Sequence, residues 1–157
     1  MARRLLLAAA VVLAVGGAGG CSGSPPEVTF TASGASVTAR PARYCDVKLT
    51  DCADDPAAPV RLAVPVGTPL RVAVPDEVAQ APWTVVFRYR DAAGKEDQAR
   101  SPVLTKKERD YTLNLFAPTD RLITAEVQQF GPAPRIDEQS GEVEFPVRGS
   151  WVLDVDA

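Results

Sequence analysis

The sequence has 157 residues, of which 17 are Lys or Arg and 20 are Asp or Glu, so its net charge is −3 at pH 7. It contains no histidine, which excludes Ser–His and Cys–His nucleophile systems and most zinc sites, and we predict no cofactor. Because the chain is negative and has no basic cluster, we expect neither nucleic-acid binding nor an electrostatic hold on anionic lipid.

The first twenty residues have the pattern of a secretory signal peptide. The basic head Met1-Ala2-Arg3-Arg4 precedes an apolar run from Leu5 to Val15, and residues 16–20 are all Gly or Ala. An apolar run of this length is too short to cross a bilayer on its own. We therefore predict that residues 1–20 are a signal peptide and that the remaining chain is exported.

Cys21 stands where a bacterial lipoprotein carries its acylated cysteine. Small residues precede it, and Ser22–Pro26 has the composition of a flexible tether. Ala18 stands where Leu is usual, however, and it would also suit an ordinary signal peptidase. An exported chain with three cysteines leaves one unpaired, and acylation of Cys21, for example with palmitate, removes that thiol. We predict a lipid-anchored protein at the outer face of the plasma membrane, with free secretion as the alternative.

Residues 27–157 have the pattern of a single domain made of short strands. Apolar and polar residues alternate in Val28–Ala32, Val37–Ala39, Val60–Val64, Leu70–Val74, Tyr111–Leu115, Ile123–Val127, Val143–Val147 and Trp151–Val155. A further strand is expected near Ser101–Thr105, and one helical turn around Asp76–Gln80.

Cys45 and Cys52 are separated by six residues. In an oxidising compartment this spacing most simply predicts a local disulfide that staples a surface loop. The alternative, a redox pair, is less favoured because redox enzymes usually have two intervening residues at a helix start.

Four carboxylates surround the loop and suggest a weak calcium hypothesis, although their spacing matches no EF-hand. They are Asp46, Asp51, Asp54 and Asp55.

The longest alternating strand is Trp83–Arg90, and the domain is predicted to close over it. Its inner face carries the core residues Trp83, Val85, Phe87 and Tyr89, whereas Thr84 and its alternate neighbours face outward. Trp151 lies in register with the apolar face of its own strand, so we assign it to the core too. Ligand stacking by the tryptophans is the alternative.

These patterns predict an all-β fold, an immunoglobulin-like two-sheet β-sandwich, with a partly open β-barrel as the alternative. The fourteen prolines suit strand edges and turns and disfavour helices.

No residue set indicates an enzyme, so we predict a non-enzymatic binding or accessory module of the cell envelope. Its partner would be an envelope protein or glycolipid, bound by an edge strand or by the loops Tyr44–Pro56 and Gly131–Gly141. One alternative is a carrier of a lipid or other apolar molecule, suggested by the 46% hydrophobic content. Another is a hydrolase with a carboxylate pair.

Several motifs together resemble a known family. They are the acylated-cysteine signal, Tyr44–Val47 with Cys52, Pro82–Asp91, Thr124–Gly131 and Trp151–Leu153. As a set they resemble a family of small exported proteins of actinobacteria (mycobacteria, nocardiae and their relatives) that is known only as a domain of unknown function. The resemblance implies an exported protein and a lineage, and it implies no reaction.

Overall fold

The computed structural model describes residues 23–105, 107–136 and 138–156. The predicted signal peptide and Cys21 lie outside these residues. In chain order the strands are β1 Val28–Ala32, β2 Ala35–Ala39, β3 Arg43–Cys45, β4 Cys52–Asp54, β5 Val60–Ala63, β6 Leu70–Ala73, β7 Trp83–Arg90, β8 Glu96–Arg100, β9 Asp110–Leu113, β10 Arg121–Phe130, β11 Arg135–Ile136, β12 Val143–Glu144 and β13 Val147–Asp156. A short helix, α1 (Asp76–Ala79), lies between β6 and β7.

The described strands form two large sheets and one small hairpin sheet. The first sheet has the order β2–β1–β6–β9, and all of its neighbours are antiparallel. The second has the order β4–β3–β13–β10–β7–β8, with β5 added in parallel along β13. The small hairpin sheet pairs β11 with β12.

This strand order is that of an immunoglobulin-type sandwich. β1, β6 and β9 take the places of strands A, B and E, whereas β7, β8, β10 and β13 take those of C, C′, F and G. Strands β2, β3 and β4 are an addition that follows strand A. The predicted all-β two-sheet sandwich is confirmed, and the described sheets do not close into a barrel.

Side chains from both sheets meet in one apolar core. Trp83 of β7 and Trp151 of β13 are its largest members, and both are fully buried. Each indole N–H donates to a backbone carbonyl, that of Glu108 at 2.9 Å and that of Pro26 at 2.8 Å. Burying both rings therefore leaves no indole donor unsatisfied.

The inner face of β7 holds Val85 and Phe87, both buried, and the half-buried Tyr89. The outer face differs from the prediction, because Thr84 is fully buried. The chain after β8 runs back along this end of β7 and covers Thr84. The Oγ1 hydroxyl of Thr84 donates to the carbonyl oxygen of Ser101 at 3.1 Å.

The strand predicted at Ser101–Thr105 is reduced to one bridge between Leu104 and Trp83. On this side of β7, opposite β10, the strand that pairs with it is the charged segment β8. β8 lies at the edge of the sheet and buries little apolar surface, so it lacks the alternation that would have revealed it.

Two further strands differ in register or extent. A β-bulge at Ile123 interrupts the pairing of β10 with β7, so Leu122 is buried where alternation places Ile123. The strand predicted over Val143–Val147 is divided, because β12 ends at Glu144 and β13 begins at Val147.

The sandwich has two distinct ends. Thr29, the second residue of β1, lies opposite Ala73, the last residue of β6. The carbonyl of Pro82, just before β7, accepts a backbone hydrogen bond from Phe130 at the end of β10. The chain at Gly23–Glu27 therefore enters at the end where β10 stops and β13 starts, which we call the N-terminal end. The far end holds the β7–β8 turn and the segment Asn114–Asp120.

Candidate binding surfaces at the two ends of the sandwich

The cysteine loop is a closed structure on the N-terminal end. Cys45 and Cys52 lie directly opposite each other on β3 and β4 and form the predicted disulfide. Inside the loop, Asp46 Oδ1 accepts hydrogen bonds from the backbone N–H groups of Thr50 at 2.7 Å and Asp51 at 3.2 Å. These bonds hold the pKa of Asp46 below its ordinary value.

Two of the other aspartates of the calcium hypothesis form ion pairs with neighbouring arginines. Asp54 pairs with Arg43 at 3.7 Å, and Asp55 pairs with Arg40 at 3.2 Å. Within residues 23–105, 107–136 and 138–156, no group of three or more acidic, Cys or His side chains is placed to hold a metal ion. The hypothesis therefore gains no geometric support.

The structure brings together the two loops that the sequence analysis singled out. A Cβ atom at Gly131 would lie 2.9 Å from a terminal carbon of Leu49, so the disulfide loop packs on the base of the other loop. Arg148, just after that base, donates its Nε–H to the carbonyl of Cys45 at 3.2 Å and lies 5.0 Å from the ring centroid of Tyr44. The two loops form one composite surface.

The segment Gly131–Pro146, which we call the apolar hairpin, carries exposed apolar side chains. Ile136 of β11 lies opposite Val143 of β12, and these residues are 69% and 57% exposed. Phe145 is 59% exposed, and its ring packs edge-on against Phe130 at the end of β10. A cluster of large exposed apolar residues marks an interaction surface more reliably than one such residue does.

A second apolar surface lies at the far end and was missed in the sequence. A cleft of about 280 Å³ opens there. It is lined by Val64, Pro65, Gly67, Thr68, Pro69, Asn114, Leu115, Phe116, Ala117, Pro118, Asp120 and Leu122. Phe116 is 70% exposed, and its ring centroid lies 5.4 Å from that of Tyr89 and 6.2 Å from that of Phe87. The available signal was an aromatic residue directly before a proline-containing turn.

The environment of Tyr89 reflects this cluster. Burial raises the pKa of the Tyr89 hydroxyl above its ordinary value, and the charges of Asp97, Asp120 and Asp91 add to the effect. Nearby, Asp120 closes the turn by accepting the backbone N–H of Ala117 at 3.0 Å. At the far end, the fixed carboxylate of Asp120 thus lies beside the aromatic patch formed by Phe87, Tyr89 and Phe116.

The carboxylate-pair hypothesis needs an acid whose pKa is raised so that it can donate a proton. The pKa values of Asp46 and Glu96 are both lowered, by hydrogen bonds from backbone N–H groups and from Arg90 and Arg88 respectively. Neither residue has the property that the general-acid role requires.

The fold and these surfaces define a member of the immunoglobulin-type β-sandwiches whose exposed apolar groups lie at its two ends. Residues 22–156 match the model of the family described as Protein of unknown function (DUF2771), and the chain belongs to that family. No curated protein and no solved structure matches it. In the part of the chain that the structure describes, no helix has the length and apolar character needed to cross a membrane.

Proposed function

We propose that this protein is an exported binding module, held at the outer face of the plasma membrane by a lipid on Cys21. The leader pattern of residues 1–20 and the position of Cys21 support export and lipid attachment. The Cys45–Cys52 disulfide fits an oxidising compartment. Because those two cysteines are paired, lipid attachment also accounts for the third.

The partner is expected to bind at the surface rather than between the sheets. Trp83, Trp151 and Phe30 fill the space between the sheets. Three clefts in the described part of the chain have volumes of about 280, 270 and 170 Å³, each below the range in which a drug-sized ligand is usually enclosed. These dimensions favour recognition of a protein or polymer surface over carriage of an enclosed lipid.

One observation carries the choice of site, namely the exposure of Phe116 on an aromatic patch at the far end. An aromatic ring that stands in solvent beside a cleft is the kind of side chain that anchors protein interfaces. Tyr89 and Phe87 support the Phe116 ring from below, so little ordering would be needed on binding. A chain anchored at Cys21 would present this end away from the membrane.

The mass of the intact protein, purified from its own membrane fraction, tests the anchor. A chain that begins at Cys21 and carries diacylglycerol and fatty acid supports the proposal. Cys45 and Cys52 should then react with an alkylating reagent only after reduction. An unmodified chain recovered from the culture medium would mean free secretion and would overturn the anchor.

A photoreactive phenylalanine analogue in place of Phe116 tests the binding site in intact cells. We expect a discrete crosslinked species on irradiation. The matched control carries the same analogue at Gln98, an exposed position on β8. The site assignment is wrong if position 116 gives no discrete species, or if position 98 gives the same one.

A further inference from the structure

We propose that the apolar hairpin rests in the membrane interface, with Ile136, Val143 and Phe145 inserted at the boundary between lipid headgroups and acyl chains. The hairpin would thereby act as a second membrane contact and fix the orientation of the domain. This inference rests on the proposed lipid anchor and deepens it. The partner of the hairpin surface is the same lipid bilayer into which the lipid on Cys21 inserts.

The first argument is the character of the hairpin. Ile136 and Val143 form a directly opposed cross-strand pair whose side chains both face solvent. Phe145 extends the same segment toward the sandwich and is supported by the edge-on ring of Phe130. An aromatic and two branched aliphatic side chains on a braced hairpin have the composition of an interfacial membrane contact.

The second argument is position. Pro25, just before β1, lines a small cleft together with Tyr44. Tyr44 in turn contacts Arg148, which follows the hairpin almost directly. The chain that leads to Cys21 therefore leaves the sandwich beside the base of the apolar hairpin.

The third argument is reach. From Cys21 to Glu27 the chain can span at most about 20 Å even when fully extended. A lipid on Cys21 would therefore keep the N-terminal end of the sandwich within that distance of the bilayer. The arm of the hairpin from Phe130 to Ile136 has as many residues as the segment Cys21–Glu27, so its maximum reach is similar.

Charge indicates how the contact would work. The hairpin includes the exposed acids Glu138, Glu142 and Glu144 and the exposed base Arg135. Because acids outnumber bases among these described residues, anionic lipid headgroups would not attract the hairpin. Insertion should therefore depend on the apolar side chains, occur on zwitterionic phosphatidylcholine and change little with salt.

A depth measurement tests the inference independently of native lipidation. Residues 21–157, with Cys21→Ser and an N-terminal hexahistidine tag, are tethered to phosphatidylcholine vesicles that contain a nickel-chelating lipid. The fluorophore NBD is attached to a cysteine introduced by Val143→Cys. The matched control is Val66→Cys, an exposed valine of the far end. Brominated lipid acyl chains then quench whichever fluorophore enters the bilayer.

We expect quenching at position 143 to exceed that at position 66 by about twofold or more. Ile136→Ser should reduce quenching at position 143 without changing the melting temperature, and Val66→Ser should leave it unchanged. Equal quenching at the two positions would overturn the inference. So would an NBD blue shift that depends on protein concentration without vesicles, since it would assign the surface to a second copy of the chain.

The anchor and the hairpin contact can fail separately. A native protein with lipid on Cys21 but without selective quenching would retain the anchor and overturn the hairpin contact. A native protein without lipid whose tethered form shows selective quenching would support membrane affinity of the hairpin and overturn the anchor.

Discussion

The indole N–H of Trp151 donates a hydrogen bond to the carbonyl oxygen of Pro26 across 2.8 Å. The two residues are 125 positions apart, yet this bond ties the segment that leads to Cys21 to the buried face of the last strand. The place where the N-terminal chain leaves the sandwich is therefore set by the core. The proposed orientation on a membrane depends on this fixed exit.

Trp151→Phe should loosen that exit. The variant loses the hydrogen bond and part of a fully buried ring, so we expect the free energy of unfolding in urea to fall by about 2–3 kcal/mol. Hydrogen exchange at Glu27 and Val28 should also become faster. The control is Trp83→Phe, because the indole N–H of Trp83 donates to the carbonyl of Glu108 and not to the N-terminal segment. It should lose similar stability without a selective change at residues 27 and 28, and equal exchange in both variants would contradict this role of Trp151.

Gly149→Ala should destabilise the domain. A Cβ atom at this position would lie 2.8 Å from Cη2 of Trp151 and 3.0 Å from Cδ2 of Tyr44. Both rings are packed, so we expect a loss of about 1–3 kcal/mol in chemical denaturation. Gly23→Ala provides the control, because a Cβ there would meet no atom within 4 Å. A variant as stable as the native protein would show that the rings have room to move.

Joint replacement of Cys45 and Cys52 by serine should lower the free energy of unfolding by about 2.5 kcal/mol, the chain-entropy value for so small a loop. The fold should survive, because Asp46 still closes the loop through its hydrogen bonds to Thr50 and Asp51. Reduction of the native protein should lower the melting temperature by as much as the double serine replacement does. Loss of the folded state would show that the disulfide is needed for more than the loop.

The sequence predicted the fold best where one strand face is buried. β1 and β6 alternate cleanly because their inner residues, such as Phe30 and Val72, are fully buried in the core between the sheets. The bulge at Ile123 was not predictable, since it is a property of the pairing between β10 and β7 rather than of either strand alone.

The candidate surfaces divide in the same way. The disulfide was predictable because its two cysteines are close in sequence and the predicted signal peptide implies an oxidising compartment. The contact of Leu49 with Gly131 and the cluster of Phe116 with Tyr89 join residues far apart in the chain. No local pattern encodes such contacts, so a composite surface becomes visible only after the fold is known.

Glu96 should contribute to acid sensitivity. Hydrogen bonds from Arg90 and then Arg88 hold the pKa of Glu96 below its ordinary value of 4.5. Its stabilising effect is therefore present above that value and is lost as the pH falls through the lower pKa of the folded state. In Glu96→Gln, the free energy of unfolding should decline less steeply between about pH 5 and pH 3 than in the native protein.

The comparison for Glu96 is Glu142→Gln, which removes one carboxylate from the apolar hairpin instead. At neutral pH Glu96→Gln should change the free energy of unfolding only slightly, because both ion pairs are exposed and screened by solvent. Parallel acid profiles for the native protein and Glu96→Gln would show that these ion pairs have no linkage to folding.

The far-end patch can be probed through the ionisation of Tyr89. Burial chiefly raises the pKa of this hydroxyl above 10.0, and the ring of Phe116 is part of its cover. Phe116→Ala should therefore lower the pKa toward 10.0 while the nearby aspartates keep it above that value. Ultraviolet titration of tyrosinate measures the shift, and Tyr89→Phe identifies the signal among the three tyrosines.

The control is Ile136→Ala, since Ile136 is equally exposed but lies at the other end, and this variant should leave the titration unchanged. An unchanged titration in Phe116→Ala would mean that Phe116 does not cover Tyr89, and the patch would lose the support proposed for partner binding.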